Sequence, residues 1–241
     1  MKLFLWVFIF CAEVCLFAEK SPVSFCFFLP PQEWEIADPT TLSSRVKIAF
    51  FKPKSHGFFP SINLSVEKTS VSLSDYLKAV KAIHEQDRNN HWRALGKVHT
   101  AAGLAQLTEI DTLSEWGPVR MLQLILLKEG HAYVLTAAAL KKEFSKFYKE
   151  IQTAFRSLTL TTDLLSCIPL LEKKEGLKQK QAGLLGVAKE EDFQEKYWPS
   201  FQQEVVTQFA EMGAYWQVLL LKQTQEQIAQ VRARPLDPDP S

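Results

Sequence analysis

Residues 59–76 read FPSINLSVEKTSVSLSDY, and the fold class follows largely from them. Ile62, Leu64 and Val66 alternate with Ser61, Asn63, Ser65 and Glu67. That is the period of a strand with one face against a core and the other in water. The period then changes. Ser72-x-x-Asp75 is a helix start of the capping-box kind, with Asp where Glu or Gln is usual. Leu73, Tyr76, Leu77, Val80 and Ile83 follow at helical spacing, which predicts an amphipathic helix. The polar run Glu85–Asn90 ends it.

Working outward, strands are predicted on both sides. Upstream lie the aromatic segment 22–29, a short piece at Trp34–Ile36, and 45–51, where Val46, Ile48 and Phe50 share a side. Downstream, 92–99 and 102–110 read as strands weakened by Gly96 and Gly103. Glu115-Trp-Gly-Pro118 is a turn. Val119–Lys128 is apolar on both faces, as an interior strand is. Glu129-Gly130 is a tight turn that returns the chain through His131–Thr136, with Gly supplying the positive φ a hairpin needs. A second helix is expected from about Ala138 to Arg156, on the stripe Leu140, Phe144, Phe147, Ile151 and Phe155. Residues 157–161 offer an edge strand. The order is α+β, with a largely antiparallel sheet flanked by helices.

From Asp163 the texture becomes helical, rich in Lys, Glu, Gln and Leu. Val205, Phe209, Met212, Trp216 and Leu219 are spaced 4, 3, 4, 3 within one long element expected at about 200–231. These five are the candidate interaction surface, docking either on the chain's own domain or on a partner. The chain of 241 residues thus divides into 1–18, a core of 19–162, a helical extension of 163–232, and a Pro-rich tail of 233–241.

Met1-Lys2, the apolar run Leu3–Phe10 and the small Ala18 before Glu19-Lys20 form a secretory signal pattern. An uncleaved anchor and a buried strand are the alternatives. The expected location is outside the cytoplasm, in the periplasm or cell envelope. Net charge is +1, from 28 Lys and Arg against 27 Asp and Glu, and residues 170–234 carry nine of each sign. That balance argues against a basic arm for nucleic acid or anionic lipid.

The order of these features resembles the PsbP/Mog-type fold family. The aromatic first strand runs into Pro31 and Trp34, and Phe59-Pro60 opens the strand containing Asn63. Ser72-Leu-Ser-Asp-Tyr76 starts the helix, Tyr133-Val-Leu-Thr-Ala is the return strand, and the final helix of the core has aromatic spacing. The resemblance covers about residues 25–162. It implies an α/β/α sandwich that acts by binding partners, and it brings no catalytic residues. The C-terminal extension departs from it.

No nucleophile elbow, P-loop or Gly-x-Gly-x-x-Gly occurs. Gly183-Leu-Leu-Gly186 reads as a turn. His84 and His91 are seven apart, whereas a zinc helix needs two His at i and i+4. His56, His99 and His131 stand singly. Cys26 and Cys167 remain after cleavage, and an even number in an oxidising compartment invites a disulfide. Two buried free thiols are the alternative. The sequence therefore points to a non-enzymatic binding or assembly-accessory protein with a protein partner in the cell envelope, and with no cofactor or metal. A second reading is a small-molecule-binding or hydrolytic protein. It would use a cleft between the sheet and the C-terminal helices, with His84, Glu85, Asp87, His91 and His99 drawn together. A third is a membrane-tethered subunit.

Overall fold

A computed structural model describes residues 24–54 and 56–233. The segment expected to be removed on export, 1–18, lies outside these residues. So does the tail from 234, while Ala233 closes the last helix. In chain order the elements are β1 (Phe25–Phe27), β2 (Glu35–Ile36), β3 (Val46–Phe51), β4 (Ser61–Lys68), α1 (Leu73–Glu85), β5 (His91–Thr100), β6 (Gly103–Ser114), β7 (Gly117–Lys128), β8 (His131–Leu140), α2 (Phe144–Arg156), β9 (Thr159–Thr161), α3 (Leu171–Gly186), α4 (Phe193–Lys196), α5 (Trp198–Gln208) and α6 (Ala214–Ala233). The described residues form two compact units, one within 30–159 and the other made of 24–29 with 160–233.

The first unit is a seven-stranded sheet in the order β2-β3-β4-β8-β7-β6-β5, with every neighbour antiparallel. The architecture is the α+β one expected. Glu129-Gly130 closes β7 onto β8, and both residues have positive φ, 51° and 72°. That backbone matches the twist of the flanking strands. Ser72 caps α1, its Oγ accepting from the Asp75 N–H. Tyr76 and Val80 of α1 then pack on Ile125, Ala132 and Val134 of the sheet.

Two expectations change here. The second helix begins at Phe144, not Ala138, because β8 runs on to Leu140. The run Ala137–Ala139 favours a helix by propensity. It is nevertheless held extended by pairing with β7, and Ala137 and Ala138 pair with β4 as well. Nor does the polar side of β4 face water. Ser61 and Asn63 are buried, as are Ile62 and Leu64.

Asn63 belongs to a row that no single strand reveals. Register places it opposite Thr136, Thr136 opposite Gln123, and Gln123 opposite Thr108. All four are at most 3% exposed. Residues two apart on a strand share a face, so the row lies on the face that carries Ile125 and Val134. Among the described residues, Asn63 Oδ1, Thr108 Oγ1 and Gln123 Oε1 find no hydrogen-bond partner, and Gln123 Nε2 reaches Thr136 Oγ1 only at 3.5 Å.

In the second unit β1 pairs with β9. The described part of the aromatic segment, 24–29, therefore joins the helical part rather than the core sheet. α6 is the hub of this unit. The Trp216 indole donates to the Leu164 carbonyl at 3.1 Å and lies 5.8 Å from the Phe209 ring. Gln217 Nε2 donates to the Phe209 carbonyl at 3.0 Å, and Gln181 Nε2 donates to Thr224 Oγ1 at 2.9 Å. The long element expected at 200–231 is broken. Gly213 takes φ 81°, which an L side chain rarely adopts, between α5 and α6. Past the break Tyr215, Trp216 and Leu220 are buried, and Leu219 is only half-buried. Gly183 and Gly186 lie inside α3 rather than in a turn.

Two stability measurements check this packing. Trp216→Ala removes a fully buried indole and its hydrogen bond. It should cost ~3–5 kcal/mol and lower the melting temperature by roughly 10 °C; a drop of a degree or less contradicts the assignment. Thr108→Val replaces an unpartnered hydroxyl by a methyl group and should raise stability by ~1 kcal/mol. A destabilised variant in urea titration means that the hydroxyl has a partner.

Candidate functional site

The β6–β7 turn presents an aromatic side chain to solvent. Ser114 and Gly117 face each other across the hairpin, with Glu115 and Trp116 between them. Ser114 Oγ accepts from the Trp116 N–H at 3.2 Å and donates to the Gly117 carbonyl at 2.9 Å, which fixes the turn. Trp116 is 47% exposed and Leu113 62%, so this tip shows more apolar surface than burial rules favour. The Phe58 ring meets the Trp116 indole edge-on at 6.0 Å.

The end of β8 supplies the other wall. Val119 pairs with Leu140, and the Lys141 N–H donates to the Pro118 carbonyl at 2.8 Å. The result is an open groove of about 340 Å³, lined by Trp116, Pro118, Leu140, Lys141 and Lys142. That volume is at the lower end of the range for small-ligand sites.

A charge network lies beside it. Asp111 sits opposite Arg120 across the strands and accepts from Arg120 Nε at 2.8 Å and from its terminal nitrogen at 2.9 Å. Lys141 Nζ reaches the same carboxylate at 2.7 Å. Glu109 bridges Arg93 at 2.6 Å and Arg120 at 3.2 Å. The hydrogen bond from Arg120 is the main cause that holds the Asp111 carboxyl down, to about 2; burial opposes it and Lys141 adds to it. Three cations against two carboxylates leave the network positive. Apolar walls beside ammonium groups suit the holding of an apolar anion.

The residues singled out in the sequence fall elsewhere. His91 and His99 sit at opposite ends of β5, eight residues or roughly 26 Å apart. Glu85 pairs with Lys81 at 3.5 Å, and Asp87 accepts from the Asn89 N–H at 2.9 Å. The structure thus does not bring His84, Glu85, Asp87, His91 and His99 into one cluster. His84 is half-buried near the end of α1, and its burial favours the neutral ring. Among the described residues no group of three or more His, Cys, Asp or Glu is placed to hold a metal ion. Cys26 and Cys167 are free thiols, one buried and one half-buried. Burial pushes the Cys26 thiol up. Their neighbouring strands, β1 and β9, are not enough to join them, because Cys167 lies in the 3-10 turn Leu164–Cys167 beyond β9. Val205, Phe209, Met212 and Trp216 are buried and present no free surface to a partner.

Sequence reasoning did not single out Trp116 as a site residue. The available signal was a Trp on a turn flanked by Gly and Pro. The opposite wall comes from a different hairpin, and only strand register brings it near.

No family model matches the chain, and no curated protein matches it in sequence. Solved structures to which it is similar include LpqN of Mycobacterium tuberculosis, described as involved in cell envelope biogenesis. The identity is 14% and the TM-score 0.43, over 58% of this chain and 85% of that one. They also include the PsbP protein (CyanoP) of Synechocystis sp. PCC 6803, at 11% and 0.42 over 63% and 97%. The Ran-binding protein Mog1p of Saccharomyces cerevisiae follows, at 14% and 0.40 over 56% and 89%. PsbP- and Mog-type proteins are thus among the solved structures similar to this chain. The likeness concerns fold alone. No helix among the described residues is long and apolar enough to cross a membrane.

The charge network makes a pH prediction. The folded-state pKa of Asp111, about 2, lies below the ordinary 3.8. Its stabilising effect is therefore present above about pH 4 and is lost as pH falls towards 2. In urea titrations Asp111→Asn should be less stable than the parent at pH 6, with the gap closing by pH 2. A gap that does not change with pH contradicts the ionic role.

Proposed function

We propose that the protein is an exported binding or assembly-accessory protein of the cell envelope, without catalytic activity, and that it acts through the Trp116 groove. The observation that carries this reading is an indole nearly half exposed on a turn fixed by two hydrogen bonds. A rigid exposed aromatic beside cations is the composition of an interface anchor. The export pattern at Met1–Ala18 supports the location. The charge balance supports a protein partner over nucleic acid.

The test uses the native protein from fractionated cells. It should begin near Glu19 and run on a native gel as part of a larger assembly. Trp116→Ala should release it from that assembly. Tyr148→Ala, which alters another exposed aromatic of the first unit, should leave it in place, and both variants should melt like the parent. A cytosolic protein that retains Met1, or a parent that runs as a free monomer, overturns the reading.

A further inference from the structure

The two long helices of the first unit treat their lysines differently. On α1 both are neutralised by acids of the same helix, Lys78 by Asp75 at 3.0 Å and Lys81 by Glu85 at 3.5 Å. On α2 they are not. Phe144, Ile151, Ala154 and Phe155 are buried and fix one side of this helix. Lys146, Lys149, Thr153 and Arg156 fall at i, i+3, i+7 and i+10, and all four are exposed. That spacing places them on a single stripe opposite the buried side. From Lys146 to Arg156 the stripe is about 15 Å long. Lys142, also exposed, stands just ahead of it in the turn that enters the helix.

The acids of this segment are already engaged. Lys54 takes Glu143 at 2.6 Å. Glu150 accepts from the Trp34 indole at 3.1 Å, and helical spacing sets it to one side of the stripe. Among the described residues none of Lys142, Lys146, Lys149 and Arg156 enters an ion pair. Like charges three or four places apart oppose a helix, and an anionic surface laid against them removes that repulsion. The stripe also lacks what a protein partner needs. Protein interfaces are built around apolar or aromatic anchors and are depleted in lysine, whereas only Ser145 and Thr153 lie among these cations. A line of cations with nothing apolar in it suits a flat, diffuse anionic surface, to which each one adds its own attraction.

We propose that the outward stripe of α2 docks the protein on an anionic lipid surface, with Lys146, Lys149 and Arg156 against the headgroup phosphates. This is a second surface, on another element than the partner-binding turn, and neither requires the other. Lys142 links them, since it heads the stripe and lines the groove. A partner in the groove is then met beside the bilayer.

Co-sedimentation of the native protein with vesicles tests this. It should bind vesicles of phosphatidylglycerol and phosphatidylcholine in equal parts at low salt. Binding should be lost at 1 M salt, where the Debye length is about 3 Å. Lys146→Gln with Lys149→Gln should weaken binding roughly thirtyfold, at about fivefold (~1 kcal/mol) for each cation. Lys146→Arg with Lys149→Arg should keep it at the parent level. Lys178→Gln with Lys222→Gln removes the same charge from exposed lysines of the second unit and should leave it unchanged. Every variant should melt like the parent. An equal loss in the two glutamine pairs marks a general effect of net charge and overturns the proposal. Equal retention on pure phosphatidylcholine also overturns it, because an apolar segment then holds the protein. So does retention that needs Trp116 but not Lys146 and Lys149. A parent that ignores the mixed vesicles, while Lys146→Gln with Lys149→Gln leaves the larger assembly, overturns it in favour of an acidic protein. If vesicle binding is absent but Trp116→Ala still releases the assembly, this inference fails and the function proposed above stands. If binding follows the stripe and no assembly exists, that function fails and the lipid surface stands.

Discussion

The antiparallel ladder between β7 and β8 governs the first unit. Ten residue pairs, from Val119–Leu140 to Lys128–His131, join the two strands, and eight more join β8 to β4. The turn Glu129-Gly130 fixes this register. Side chains alternate faces with every residue, so a slip of one place would exchange the two faces along the whole strand. Leu135 would move to the α1 side and Thr136 to the other. The same register sets Leu140 beside Val119 and brings the Lys141 N–H to the Pro118 carbonyl. The groove at the far end of the sheet therefore depends on a turn ten residue pairs away.

The ladder also explains a cost in the middle of the sheet. Asn63, Thr136, Gln123 and Thr108 come from four strands and meet only because their registers agree. An unpaired buried polar atom costs ~1–3 kcal/mol. Apolar side chains at these places would pack with less penalty. The outer end of the same sheet follows the opposite rule. There Asp111, Arg120, Glu109, Arg93 and Lys141 are matched across strands, and each carboxylate has two cationic partners.

Much of the architecture was legible in the sequence. Period 2 at Ser61–Glu67 and helical spacing after Ser72 identified β4 and α1, and the long apolar run of β7 marked an interior strand. The misreadings have distinct physical origins. Ala137–Ala139 has helix propensity, but pairing with β7 and β4 overrides it. The polar positions of β4 look solvated because alternation alone cannot show that both faces are covered. The 4-3-4-3 spacing continues through Gly213 as text, although a positive φ there ends one helix before the next begins. The groove was the least legible feature. Trp116 and Pro118 are neighbours in sequence, but Leu140, Lys141 and Lys142 reach them only through folding.

One feature at the other margin of the sheet has a separate consequence. β5 is an edge strand of ten residues, largely exposed. A straight edge of that length is a template on which further chains add, the first step towards fibrils. Here the register shifts between Ala94 and Gly96, so the edge is kinked near its middle. Gln106 Nε2 donates to the Gly96 carbonyl at 2.7 Å, which occupies an acceptor at the kink. Arg93 and Lys97 place charge on either side. The bulge thus works as a solubility device, limiting the uninterrupted edge to stretches too short to nucleate cross-β growth.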